Sequence, residues 1–241
     1  MEEPIRIVAF NGSPRRYGGV AKLLHIALKA AEEEGAETRL FHLYELDVKP
    51  CIGCVSDDIK ACRHPCVIRD DFTEKIAPAI LEADAVLIGT PIYWYGPSGV
   101  VKNLIDRMTS FENMIFHVGR SLVEGKVAAF IAVGNDTGAI QAIAYMMAVL
   151  NSMGFHIPPW ALAYYHHREG EPLNDEQAVM DAANIGKILV KAARLLRGAG
   201  DWYNPRLDVK RLVEEARRMA EEERRRQLPE RRRLFTGQPQ A

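Results

Sequence analysis

Short apolar runs alternate along the chain with longer stretches in which apolar residues recur every three or four positions. Ile5–Phe10 (IRIVAF) predicts a strand, and Ala21–Glu34 a helix through Leu24, Ala27, Leu28 and Ala31. Thr38–Leu43 predicts a second strand. Ala85–Gly89 (AVLIG) is an unbroken apolar run of the kind buried on both faces of a parallel sheet. Gly99–Met108 reads as helix, Lys126–Val133 as a fourth strand and Ala139–Met153 as a nearly all-apolar helix. A fifth strand is expected around Phe155–Tyr164, interrupted by Pro158 and Pro159. Asp175–Leu196 predicts a long amphipathic helix. Strand and helix alternating in this way predict an α/β three-layer sandwich, with a five-stranded parallel sheet in the order 2-1-3-4-5.

The pattern changes after Gly198. GAGDWYNP is a turn-rich break, Asp208–Gln227 is a highly charged helix candidate, and Pro229 and Arg231–Arg233 follow. The expected domains are therefore residues 1–197 and a charged helical extension, 198–241. From Lys210 to Leu234 there are ten Lys/Arg and six Glu, a local charge of +4 in a chain of net −1. The remainder is mildly acidic. Such a helix reads as a solvated face with i,i+4 charge pairing, packed on its own domain or on a neighbouring subunit. The aromatic or glycine interleaving of a nucleic-acid arm is missing, and no apolar run approaches the roughly 18 residues of a membrane span. Met1-Glu2-Glu3-Pro4 is acidic and unlike a signal peptide, so the expectation is a cytoplasmic protein whose four cysteines meet a reducing environment.

Candidate chemistry starts with Phe10-Asn11-Gly12-Ser13-Pro14-Arg15-Arg16-Tyr17-Gly18-Gly19-Val20-Ala21, between the first strand and the first helix. There an α/β sheet presents helix N-terminal amides to an anion. Ser13 offers a hydroxyl, Arg15 or Arg16 can neutralise a phosphate monoester, and Gly18 and Gly19 let amides point inward. The loop is neither a Walker loop nor G-x-G-x-x-G. The bland alternative is a glycine-rich turn that binds nothing. After the third strand, Gly89-Thr90-Pro91-Ile92-Tyr93-Trp94-Tyr95-Gly96-Pro97 sets three consecutive aromatics at the sheet's C-terminal edge, suited to a flat heteroaromatic ring or to burial under a helix or interface.

GSPRRYGGVAKLL resembles the GSPR-x-x-G-N-T-x-x-L signature of the flavodoxin-like NADPH-dependent FMN reductases and their relatives, the iron–sulfur flavoproteins. The blocks KPCIGC (49–54), GTPIYW (89–94) and KNLIDR (102–107) agree in order and spacing. The family's Asn-Thr is Gly19-Val20 here, so backbone amides, Ser13 and an arginine carry more of the phosphate. The resemblance implies an FMN enzyme to which NAD(P)H delivers hydride, and which passes electrons to a quinone, flavin, metal or nitro compound. It implies a phosphate held by Ser13, Arg15, Arg16, Gly18, Gly19 and Val20, and a ring held by Pro91, Ile92, Tyr93 and Trp94. Gly134, Asn135 and Asp136 are expected to flank the ring from the loop after the fourth strand. Relatives build the pocket partly from a second subunit, so a homodimer or homotetramer is expected. Two other readings stay open: an iron–sulfur electron carrier, and a non-catalytic FMN-binding protein acting through its basic tail.

All four cysteines, Cys51, Cys54, Cys62 and Cys66, fall within sixteen residues. In the iron–sulfur flavoproteins such a segment holds a [4Fe–4S] cluster with about two residues before the third cysteine, where this chain has seven. C-x2-C with C-x3-C also suits tetrahedral zinc, and free thiols are the third reading. The expectation is no cluster, with at least two thiols free. His166-His167 could reach a bound ring, whereas His25, His42, His117 and His156 are isolated and read as structural.

Overall fold

A computed structural model describes residues 3–166, 170–204 and 206–236. Its five strands are β1 (Arg6–Asn11), β2 (Glu37–His42), β3 (Ala85–Pro91), β4 (Val127–Gly134) and β5 (Leu162–His166). They pair in parallel in the order β2-β1-β3-β4-β5, the flavodoxin-like order. The helices are α1 (Gly19–Glu33), α2 (Cys54–Asp57), α3 (Ala77–Glu82), α4 (Gly99–Glu112), α5 (Ile115–Val118), α6 (Ala139–Ser152), α7 (Glu176–Leu196) and α8 (Val209–Thr236).

Period-two alternation divides each inner strand between two cores. Ile7 and Ala9 of β1, Ala85 and Leu87 of β3, and Val127, Ala129 and Ile131 of β4 pack with α1 and α7. Val8, Phe10, Val86, Ile88, Ala128, Phe130 and Ala132 face α3, α4 and α6 instead. With both faces covered, the inner strands read as continuous apolar runs. On the first face α1 and α7 touch backbone to backbone. A Cβ on Gly186 would lie 2.0 Å from the Ala27 carbonyl oxygen, so no larger residue fits there.

Two elements depart from the sequence expectation. β5 starts only at Leu162, and His156 makes an isolated parallel bridge to Val127 before it. Pro158 and Pro159 have no N–H to give the ladder, which is what separates the two. The charged helix does not stop at Gln227 but continues through Pro229 to Thr236. In a helix with no buried residue, the carbonyl left unpaired by Pro229 is solvated. The helical stretch Phe72–Glu82, which opens with a wide π turn, and the short α2 and α5 had no counterpart in the sequence reading.

The chain divides into two units, Met1–Trp202 and Tyr203–Ala241. Trp202 is tied into the first: its ring sits edge-on to His156 with centroids 4.2 Å apart, and its backbone N–H donates to Glu124 Oε1 at 2.7 Å. Among the described residues no helix is long and apolar enough to cross a membrane.

Candidate active site

The loop between β1 and α1 is held from below. Gly12 lies against its neighbours so closely that a Cβ would come 2.2 Å from Val101 Cγ2. Its N–H donates to the Gly89 carbonyl at 2.7 Å, and its own carbonyl accepts from Ser98 Oγ at 2.7 Å. Asn11, fully buried at the end of β1, accepts the Ser13 N–H on Oδ1 at 2.9 Å. Its Nδ2 lies 3.1 Å from His42 Nδ1, the residue opposite it in the β1–β2 register. Ser13 Oγ accepts the Arg15 N–H at 3.2 Å. Gly18 caps α1 with no side-chain hydrogen bond, and no acidic residue occupies the first turn. The free N–H groups and positive end of a 15-residue helix are therefore open to an anion.

Two further loops wall the same space. After β3, the Ile92 N–H donates to the Val133 carbonyl at 2.9 Å. Tyr93 and Gly96 then exchange backbone hydrogen bonds of 2.9 and 3.1 Å around a two-residue turn. Both turn residues, Trp94 (φ 50°) and Tyr95 (φ 67°), are left-handed. Trp94 is 95% exposed, and Tyr95 rests on Gly138 of the loop after β4. Between these loops is a cleft of about 640 Å³ at the C-terminal edge of the sheet, well inside the range of cofactor pockets.

Of the residues expected from the sequence, Ser13, Arg15, Gly18, Gly19, Val20, Pro91, Ile92, Tyr93, Trp94, Gly134, Asn135 and Asp136 all line this cleft. Arg16 is not among its lining residues; its guanidinium donates to Glu45 Oε1 at 3.1 Å. Tyr95, the third of the consecutive aromatics, and Thr137 of the loop after β4 line the cleft as well, and Val133 at the end of β4 joins them without having been anticipated. The supporting pair of Asn11 with His42, a histidine that stands isolated in the sequence, was not anticipated either. His166 ends β5, while His167 lies outside the described residues.

The cysteines are elsewhere. Cys51, Cys54, Cys62 and Cys66 line one small hollow of about 20 Å³ with Arg107 and Ser110 of α4, and none forms a disulfide. Burial first, and then the neighbouring thiols, push the Cys62 thiol up to about 11. The segment is anchored to α4 at both ends. Arg107 and Asp70 form a fully buried ion pair with N–O contacts of 2.5 and 3.1 Å. Arg107 also donates to the Lys49 and Ile68 carbonyls at 3.1 and 3.2 Å, and Asn113 to the Ile59 and Cys62 carbonyls at 2.6 and 2.7 Å. Among the described residues no three His, Cys, Asp or Glu side chains are grouped so as to hold a metal ion.

Residues 5–167 match the family of NADPH-dependent FMN reductases. The chain belongs to that family. An iron–sulfur flavoprotein of Methanocaldococcus jannaschii is 30% identical over 208 residues, covering 80% of this chain and 100% of that one. Another iron–sulfur flavoprotein, from Archaeoglobus fulgidus, is 32% identical over 151 residues, 62% of this chain and 64% of its own length. Among solved structures, RosB with bound 8-demethyl-8-formylriboflavin-5′-phosphate superposes with a TM-score of 0.66 at 19% identity, covering 89% of this chain and 87% of that one. By that membership it is an FMN-dependent oxidoreductase.

Proposed function

We propose that the cleft between the loops after β1, β3 and β4 is the FMN site, and that the protein passes electrons from NAD(P)H to a small planar acceptor such as a quinone, a flavin or a nitro compound, or to a metal. One observation carries the reading: an uncapped helix N-terminus with Ser13 and Arg15 beside it shares a cleft of about 640 Å³ with three consecutive aromatics. That donor set fits a phosphate monoester at one end and a flat ring at the other. When bound, FMN supplies hydride and single-electron chemistry that no side chain can perform. The chain's own part is to bind and orient. Ser13, Arg15 and the backbone of Gly18, Gly19 and Val20 hold the phosphate. Pro91, Ile92, Tyr93 and Trp94 hold one side of the ring, and Gly134, Asn135 and Asp136 the other.

Purified protein should be yellow and release FMN, not FAD, on denaturation, and it should oxidise NADH or NADPH when an acceptor is present. Release of FAD, or failure to take up FMN on reconstitution, would rule the reading out. The convergence of four cysteines on one hollow favours a second reading, a one-electron carrier with a cluster, as in the relatives named iron–sulfur flavoproteins. The fit is poor: the hollow holds about 20 Å³, so the Cys51–Cys66 segment would have to open to admit a cubane. We expect at least two of the thiols to titrate under native conditions. Near-stoichiometric iron and sulfide in anaerobically prepared protein would reverse this, since a four-cysteine cubane brings about four irons per chain.

A further inference from the structure

The amide of Asn11 has only one workable orientation. The Ser13 backbone N–H can only donate, so the atom facing it at 2.9 Å is Oδ1, and Nδ2 is left to donate to His42 Nδ1 at 3.1 Å. His42 Nδ1 must then offer a lone pair. That requires a neutral imidazole with its proton on Nε2.

A proton on His42 Nδ1 breaks this chain of bonds. Two donors would face one another, and Asn11, fully buried, has no water to turn to. If its amide turns over, Oδ1 satisfies His42 but the NH2 group then meets the Ser13 N–H. If His42 swings aside, Nδ2 loses its acceptor. Either way one buried hydrogen bond under the loop is lost, worth about tenfold in an equilibrium constant. The groups around His42 divide. Burial acts most strongly and holds its pKa below the ordinary histidine value; Arg16, from the loop, and His25, from α1, act in the same direction, and Glu45 opposes them.

We propose that His42 is a positioning residue for the anion-binding loop: its neutral ring holds Asn11, Asn11 holds the Ser13 amide, and a proton on Nδ1 loosens the loop's grip on the FMN phosphate. The proposal rests on the assignment of that loop to the phosphate. It makes a prediction opposite in sign to simple electrostatics. A phosphate dianion close to an imidazole favours the charged ring and raises its pKa. The relay favours FMN when the ring is neutral, and by reciprocity bound FMN then lowers the pKa of His42.

The test is a 15N NMR titration of the histidine side chains in the full chain, without FMN and saturated with it. His42 is assigned by the loss of its signal in His42→Gln, and the Ser13 amide is followed alongside. The expected result is an Nε2-protonated tautomer whose pKa falls by about one unit when FMN binds, the linkage equivalent of tenfold in affinity. His42→Gln keeps an acceptor for Asn11 but cannot take a proton. Its FMN affinity should match the wild type at pH 8 and fall about tenfold less on going to acid. The second ionisation of the phosphate, near pH 6, weighs equally on both proteins and cancels in the comparison. A His42 pKa that rises or stays fixed while the Ser13 amide responds to FMN overturns the relay. A Ser13 amide unmoved by saturating FMN overturns instead the assignment of the loop.

Discussion

Trp94 and Tyr95 occupy a backbone that their side chains disfavour. A two-residue turn with positive φ at both positions suits Asn-Gly, and an L residue held left-handed costs about 1–2 kcal/mol. Replacing the pair by Asn-Gly should raise the stability of FMN-free protein by about 1–2 kcal/mol, because Trp94 is almost fully exposed and gives up little burial. FMN affinity should fall, since the cleft loses an aromatic wall. Thermal melts of the FMN-free protein, paired with fluorescence titration, check both signs, and a less stable variant would mean the turn is not strained. At the opposite end, Ser13→Ala with Arg15→Ala should weaken FMN binding by about 1.5–3 kcal/mol, the usual worth of charged hydrogen bonds. Arg16→Ala should leave affinity at pH 8 nearly unchanged, because that guanidinium is directed at Glu45. Ser13, Arg15, Gly18 and Gly19 were legible because a hydroxyl, a basic side chain and paired glycines in a strand-to-helix turn suit an anion. Residues 91–94 and 134–136 were legible chiefly through the family resemblance. His42 was not legible. It meets Asn11 only through the pairing of β1 with β2, thirty-one residues apart, which no local spacing encodes.

The strands and long helices were legible because both faces of the sheet are covered, so that each element is continuously apolar or cleanly amphipathic. The segment Phe72–Glu82 left no such signature: Pro78 falls inside it and its first turn is wide. That segment and the cysteine loop before it depend on one buried pair, Asp70 with Arg107. Burial by itself raises the Asp70 pKa, but hydrogen bonds from Arg107 and from the N–H groups of Lys49 and Thr73 hold it below the ordinary carboxylate value. Asp70→Asn leaves Arg107 buried beside a neutral amide and should cost about 3–5 kcal/mol. A lowered pKa in the folded state gives stability that is complete above the unfolded value of about 3.9 and lost as pH falls through the folded one. The gap between wild type and Asp70→Asn in urea unfolding should therefore be widest near neutrality and close progressively below about pH 4. A gap that stayed constant to pH 3 would show that the ionised pair is not its source.

For the whole molecule the question is what covers the apolar surface left on the first unit. Every residue of the two cores lies between Ile5 and Ala193, and α8 buries nothing, so a chain ending at Trp202 should bind FMN and unfold as the full chain does. The first unit, however, has a helix that suits water poorly. α6 has no charged residue in its fourteen. Ala139, Ala142, Ile143, Met146 and Leu150 face the sheet, while Ile140, Ala144 and Ala148 are exposed on the outer side. Trp94, Tyr95 and Tyr164 of the edge strand add exposed aromatic surface in the same unit. Only Gln141 and the terminal Asn151 and Ser152 are polar and exposed on α6, and exposed apolar patches of this kind commonly mark interfaces. The protein should therefore sediment as a homodimer or homotetramer at micromolar concentration, and so should the chain ending at Trp202. Ile140→Glu with Ala144→Glu should dissociate it without lowering its melting temperature appreciably, since neither side chain is in the core. A 27.0 kDa species for the wild-type chain under those conditions would contradict the assignment, and the outer face of α6 would then have to be tolerated in water.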